Sequence, residues 1–119
     1  MFKIDSDKNI EVTRGDSLTI QLTNKNGNFL IGDRIKFSIV EKKNYKNVIF
    51  QKSFEVKENS DSVYLILTSE DTRIGDVISK KQEFWYEIEY NDSQTLVGYD
   101  SDGAKKFTIY PEAPVKEGI

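Results

Sequence analysis

Apolar and polar residues alternate with a period of two along most of this chain. Ile10 and Val12 alternate with Glu11 and Thr13, and Leu18, Ile20 and Leu22 with Thr19, Gln21 and Thr23. Ile35, Phe37 and Ile39 alternate with Lys36, Ser38 and Val40, and Val63, Leu65 and Leu67 with Tyr64, Ile66 and Thr68. Phe84, Tyr86, Ile88 and Tyr90 alternate with Trp85, Glu87 and Glu89, while Val48 and Phe50, then Phe107 and Ile109, give shorter matches. Successive side chains of a strand point to opposite faces, so each run buries one face and wets the other. One wet face is the habit of antiparallel sheets.

Turn residues separate the runs. Arg14-Gly15, Asn24 to Asn28, Ile31-Gly32-Asp33, Asn44-Tyr45-Lys46, Glu58 to Asp61, Asn91-Asp92 and Asp100 to Gly103 fall between them. Gly, Asn and Asp suit such sites because they accept left-handed backbone or bond their own main chain. A further run is expected near Phe54 and Val56. About seven to eight short strands with regular turns predict an all-β sandwich or small barrel. Ser69-Glu70-Asp71-Thr72 can open a single helical turn near residues 69–73, cut short by Gly75. Residues 1–110 read as one β domain and residues 111–119, with both prolines, as an extended tail.

Composition narrows the chemistry. A chain of 119 residues is one domain by size and buries about two-thirds of its unfolded surface, enough for a core without staples. There is no cysteine and no histidine. The first absence removes disulfides and thiolate chemistry, and fits folding in a reducing cytoplasm. The second removes any serine–histidine triad within the chain. No apolar run approaches the roughly 20 residues of a membrane helix, and Met1 to Asp5 carries no basic segment leading into an apolar one, so neither a membrane association nor a secretory signal is expected. Net charge is −3, and Lys42-Lys43 with Lys46, Lys80-Lys81 and Lys105-Lys106 sit at strand ends or turns. They read as solvated loops rather than a nucleic-acid face. No metal or other cofactor is expected.

Four constellations carry candidate chemistry. Arg14-Gly15-Asp16-Ser17 spells an adhesion tetrapeptide at a turn, although Gly15 serving the turn explains it more simply. Asp100-Ser101-Asp102-Gly103 resembles the start of a calcium loop, but its twelfth position is Pro111 rather than a bidentate Glu. A hairpin turn is the plainer reading. Glu87 and Glu89 point the same way about 7 Å apart, a carboxylate spacing that glycosidases use; a strand without a cleft favours simple solvation. Trp85 shares their face, opposite core-facing Phe84, Tyr86 and Ile88, and is a candidate partner anchor. Tyr45, Tyr64, Tyr99 and Tyr110 are candidates to extend that aromatic surface. Partner binding is therefore assigned to Trp85, Glu87 and Glu89, with Tyr110 and Pro111 at the start of the tail.

The order of motifs adds a resemblance. It runs through Ile10-Glu11-Val12-Thr13-Arg14-Gly15-Asp16-Ser17, Gly32-Asp33-Arg34-Ile35-Lys36-Phe37-Ser38-Ile39 and Val48-Ile49-Phe50-Gln51-Lys52. It continues through Leu67-Thr68-Ser69-Glu70-Asp71-Thr72, Phe84-Trp85-Tyr86-Glu87-Ile88-Glu89 and Phe107-Thr108-Ile109-Tyr110-Pro111-Glu112. Across nearly the whole chain this resembles small immunoglobulin-like structural proteins of bacteriophages and prophages in Gram-positive hosts, including the N-terminal domain of upper baseplate proteins. The resemblance implies an immunoglobulin-like antiparallel β-sandwich and a non-catalytic tail, baseplate or capsid-decoration module. Its expected place is the virion, after synthesis in the host cytoplasm, with other virion proteins as partners and homo-oligomers as a further arrangement. Ending near Ile119, without a fibre or receptor-binding region, leaves room for a stand-alone decoration role. The alternatives are a phage-encoded inhibitor of a host protein and a carbohydrate-binding module stacking sugars on Trp85.

Overall fold

A computed structural model of the chain describes residues 1–74 and 78–112. Among the described residues, nine strands form two sheets: β1 (Phe2–Ile4), β2 (Ile10–Thr13), β3 (Leu18–Thr23), β4 (Arg34–Glu41), β5 (Asn44–Glu55), β6 (Ser62–Leu67), β7 (Gln82–Tyr90), β8 (Gln94–Val97) and β9 (Lys106–Tyr110). The larger sheet runs β1-β2-β9-β7-β4-β5, with β8 beside β7, and the smaller is β3-β6. This placement of strands in two facing sheets is that of a β-sandwich.

The alternation sets which side of each sheet is buried. Leu18, Ile20 and Leu22 oppose Leu67, Leu65 and Val63 across β3-β6, and all six are buried. On the large sheet Phe37 opposes Ile88, and Ile39 opposes Tyr86. Phe37 is fully buried and meets Phe50, Tyr86 and Phe107 at ring-centroid distances of 6.4, 5.6 and 5.9 Å. Such tilted and edge contacts add to the area each ring buries.

Several expectations change. The sheet is not purely antiparallel: β2 runs parallel to β9, with Ile10 opposite Phe107 and Val12 opposite Ile109. Alternation reports which face is buried, not strand direction, so a parallel pair is invisible to it. The described residues hold nine strands rather than about seven to eight, because β1 and β8 are too short and too exposed to alternate clearly. Asn44-Tyr45-Lys46 is not a turn but the start of β5, a single strand that runs through Phe54. The reversal lies at Lys42-Lys43, where Lys43 takes a positive φ of 66°, and β4–β5 pairing shifts register at Ile39/Val40 and Val40/Glu41. Such bulges absorb extra residues and twist the strand. Lys105 is not a solvated loop cation: it is 4% exposed and its Nζ lies 3.0 Å from the Asp100 carboxylate.

The segment near residues 69–73 forms one turn, closed by Thr72 N–H donating to the Thr68 carbonyl at 3.3 Å. Thr68 and Asp71 bond each other reciprocally, Thr68 N to Asp71 Oδ2 and Asp71 N to Thr68 Oγ1, in the manner of a capping box. Gly75 lies outside the described residues. Thr72 is fully buried; its hydroxyl donates to the Asp16 carbonyl at 2.8 Å and accepts from Gly15 N–H at 2.9 Å. It thereby joins this turn to the Arg14-Gly15 turn. Thr72→Val keeps the shape but strands a donor and an acceptor, and is expected to cost about 1–3 kcal/mol. Urea unfolding of the variant checks this; an unchanged midpoint would show that the two turns hold without the hydroxyl.

Candidate functional site

Strand β7 carries the candidate anchors on the outer face of the large sheet. Trp85 opposes Val40 of β4, Glu87 opposes Ser38, and Glu89 opposes Lys36. Cross-strand partners share a face, so these six side chains form one outward surface while Tyr86 and Ile88 turn inward. The separation of faces expected for this strand is therefore present. That surface is less wet than the alternation implies: Ser38 and Val40 are 3% and 1% exposed. Val40 lies between its cross-strand partners Trp85 and Val48, and Ser38 Oγ accepts from Gln51 Nε2 at 3.0 Å. These residues make a second, smaller packed cluster on the side away from the core.

Aromatic rings complete it. Tyr45, displaced by the β5 bulge, meets Trp85 at 5.4 Å between centroids, tilted 46°. Tyr99 meets Trp85 at 6.3 Å, tilted 56°. Tyr99 is delivered by Gly98, where a Cβ would fall 2.6 Å from Thr95 Cγ2 and 3.5 Å from Glu87 Cβ. The Thr95 methyl leaves no room for a side chain here, so glycine lets the backbone turn tightly past Thr95 while lying in ordinary contact with Glu87. Trp85 is half-buried by its neighbours, whereas Tyr99 is 67% exposed and Val48 47% exposed.

The carboxylates differ in their partners. Lys36 Nζ lies 3.9 Å from Glu89 and 3.0 Å from Asp92; its hydrogen bond to Asp92, with the Glu89 charge, holds its pKa above the usual lysine value. Glu87 makes no ion pair with any described residue. Burial, and then the neighbouring Glu89 charge, push its carboxyl above the usual range. Burial likewise raises Tyr45, with Glu87 adding to it. The Tyr45 hydroxyl is buried with no hydrogen-bond partner among the described residues.

The other expected site residues lie elsewhere. Tyr110 is on the same outer face but four residues along β9 from Lys106, the partner of Trp85, a separation of about 13 Å. Its hydroxyl donates to Glu11 Oε1 at 3.1 Å. Between the two lies a groove of about 700 Å³ bounded by Phe2, Glu11, Glu83, Lys106 and Thr108. Pro111 follows Tyr110, and Glu112 is tied back to Arg73 at 3.0 Å; residues 113–119 lie outside the described residues. Of the four tyrosines, Tyr45 and Tyr99 join Trp85. Tyr64 faces out from the small sheet, paired with Gln21.

The remaining motifs resolve into structure. Arg14 is 7% exposed and its guanidinium reaches the Arg73 carbonyl and Glu112, so the tetrapeptide does not present its arginine. Asp100 accepts from Asp102 N–H and from Lys105, and Asp100 and Gly103 bridge each other. The calcium-like segment is thus a hairpin turn with its own internal cation. No cluster of three or more metal-ligating side chains occurs among the described residues. No helix there is long and apolar enough to cross a membrane.

Gly98, Val40 and Val48 belong to the site without having stood out in the sequence. A glycine one residue after a short strand and directly before a tyrosine is the one local signal, and it does not say which strand the tyrosine reaches. Comparison with protein-family models, curated proteins and solved structures found no match to this chain.

Proposed function

We propose that this domain is a docking module of a phage particle, without a reaction of its own, that engages a neighbouring virion protein across the Tyr45–Trp85–Tyr99 face. The observation that carries the docking half is that face itself: a half-buried tryptophan braced by two tyrosines on a rigid sheet, with exposed Tyr99 and Val48 beside it. Buried-edge aromatics of this kind are the residues on which protein interfaces concentrate their binding energy. The virion half rests on the order of motifs that resembles immunoglobulin-like phage structural proteins. The tilt of the rings, 46° and 56° to Trp85, favours an irregular protein surface over the flat stacking platform that a sugar ring requires.

Mass spectrometry of purified particles tests the virion assignment. The chain is expected at a stoichiometry comparable to other tail, baseplate or capsid components. Absence from particles overturns the assignment, and capture of a defined host enzyme in its place points to an inhibitor.

A further inference from the structure

We infer that the Tyr45–Trp85–Tyr99 cluster, flanked by Glu87, is a binding site for an organic cation that carries N–H groups, the guanidinium or ammonium head of a basic side chain on the docked partner. This deepens the docking reading and is separable from it, since the chain can reside in a particle with no cation on this face.

Two observations converge. Aromatic ring faces carry negative potential, and tryptophan attracts cations most strongly; here three aromatic rings gather in a chain of contacts around Trp85. Glu87 stands beside them, partly buried and in no ion pair with any described residue; Lys36 attracts it, but the Lys36 Nζ sits at Glu89 and Asp92. Burial disfavours the charged carboxylate, and a cation at this position offsets that. An N–H group on that cation donates to the Glu87 carboxylate. A quaternary ammonium has no hydrogen to give, so the carboxylate selects a lysine or arginine head group over a trimethylated one.

Trp85 is the only tryptophan in the chain, so its fluorescence reports on the site directly. The probes are N-acetyl-arginine methylamide and N-acetyl-lysine methylamide, with N-acetyl-glutamine methylamide as a neutral control and tetramethylammonium chloride as a cation lacking N–H, all at one ionic strength. A saturable response to the arginine or lysine probe is expected, with Kd on the order of 1 mM for an isolated side chain. Tetramethylammonium is expected to bind about tenfold more weakly. Glu87→Gln should weaken the basic probes about tenfold, and Tyr99→Ala, at an exposed position, about fivefold. If Glu87→Gln does not fold, Tyr99→Ala carries the test. No saturable response to the basic probes, an equal response to the neutral amide, or unchanged affinity in the folded variants overturns the inference. Equal binding of tetramethylammonium overturns the requirement for N–H.

Discussion

Replacing Phe37 by alanine is expected to destabilise the domain by about 3–5 kcal/mol, the range for deleting a buried phenylalanine. Phe37 lies mid-way along β4, which is paired on both sides, by β5 and β7. It is fully buried and touches three other rings, Phe50, Tyr86 and Phe107, from β5, β7 and β9. No single neighbour can move to fill the space, because each is fixed by its own strand. Domains of this size are stable by about 5–15 kcal/mol, so the variant should be marginal at physiological temperature. Urea unfolding followed by Trp85 fluorescence gives the value. A loss below about 1.5 kcal/mol would mean that the four-ring cluster collapses around the gap, and that it is not the keystone its position suggests.

The second large effect is alkaline. Tyr86 is 1% exposed, and its hydroxyl donates to the Lys8 carbonyl at 2.5 Å. Burial, with a smaller contribution from the Asp5 charge, raises its pKa well above the ordinary value of 10.0. In the unfolded chain the phenol ionises near 10; in the folded protein it stays protonated. Its contribution is therefore complete below about pH 10 and is lost as pH rises further, at about 1.4 kcal/mol per pH unit until the folded group also titrates. Midpoints of urea unfolding between about pH 9 and about pH 11.5 should fall steeply in the native protein. Tyr86→Phe should be about 1 kcal/mol less stable near neutral pH and lose much less over the alkaline range. Tyr45, Tyr90 and Tyr110 are also shifted upward, so a residual slope remains. Identical slopes in both proteins would show that Tyr86 is not the group being titrated.

Much of this fold is legible in the sequence because one-sided burial writes a two-residue period. Leu18 to Leu22, Ile35 to Ile39, Val63 to Leu67 and Phe84 to Ile88 all face inward as the alternation requires. What the period cannot record is pairing. Nothing in Ile10 to Thr13 marks it as the parallel neighbour of Phe107 to Tyr110, since direction leaves no trace in which side chains are apolar. Asn44 and Lys46 look like turn residues, and Tyr45 between them looks incidental. The two-residue reversal at Lys42-Lys43 and the bulge behind it turn all three into strand, and swing Tyr45 over Trp85. The site was legible in the same measure. Trp85, Glu87 and Glu89 share a face because they share a strand. Tyr99 reaches them only through Gly98, and Tyr110, equally aromatic and on the same face, ends about 13 Å away because strand rise carries it there.

The parallel pairing of β2 with β9 has a consequence in time. Ile10 leaves the ribosome well before its partner Phe107 is made. Until then β2 has only three-residue β1 to pair with, and the adjoining edge of β7 stays open. Contacts between distant parts of a chain are the slowest to form. The large sheet therefore closes last at the seam between β2 and β9, and a nascent copy exposes unpaired strands of this sheet until β9 emerges.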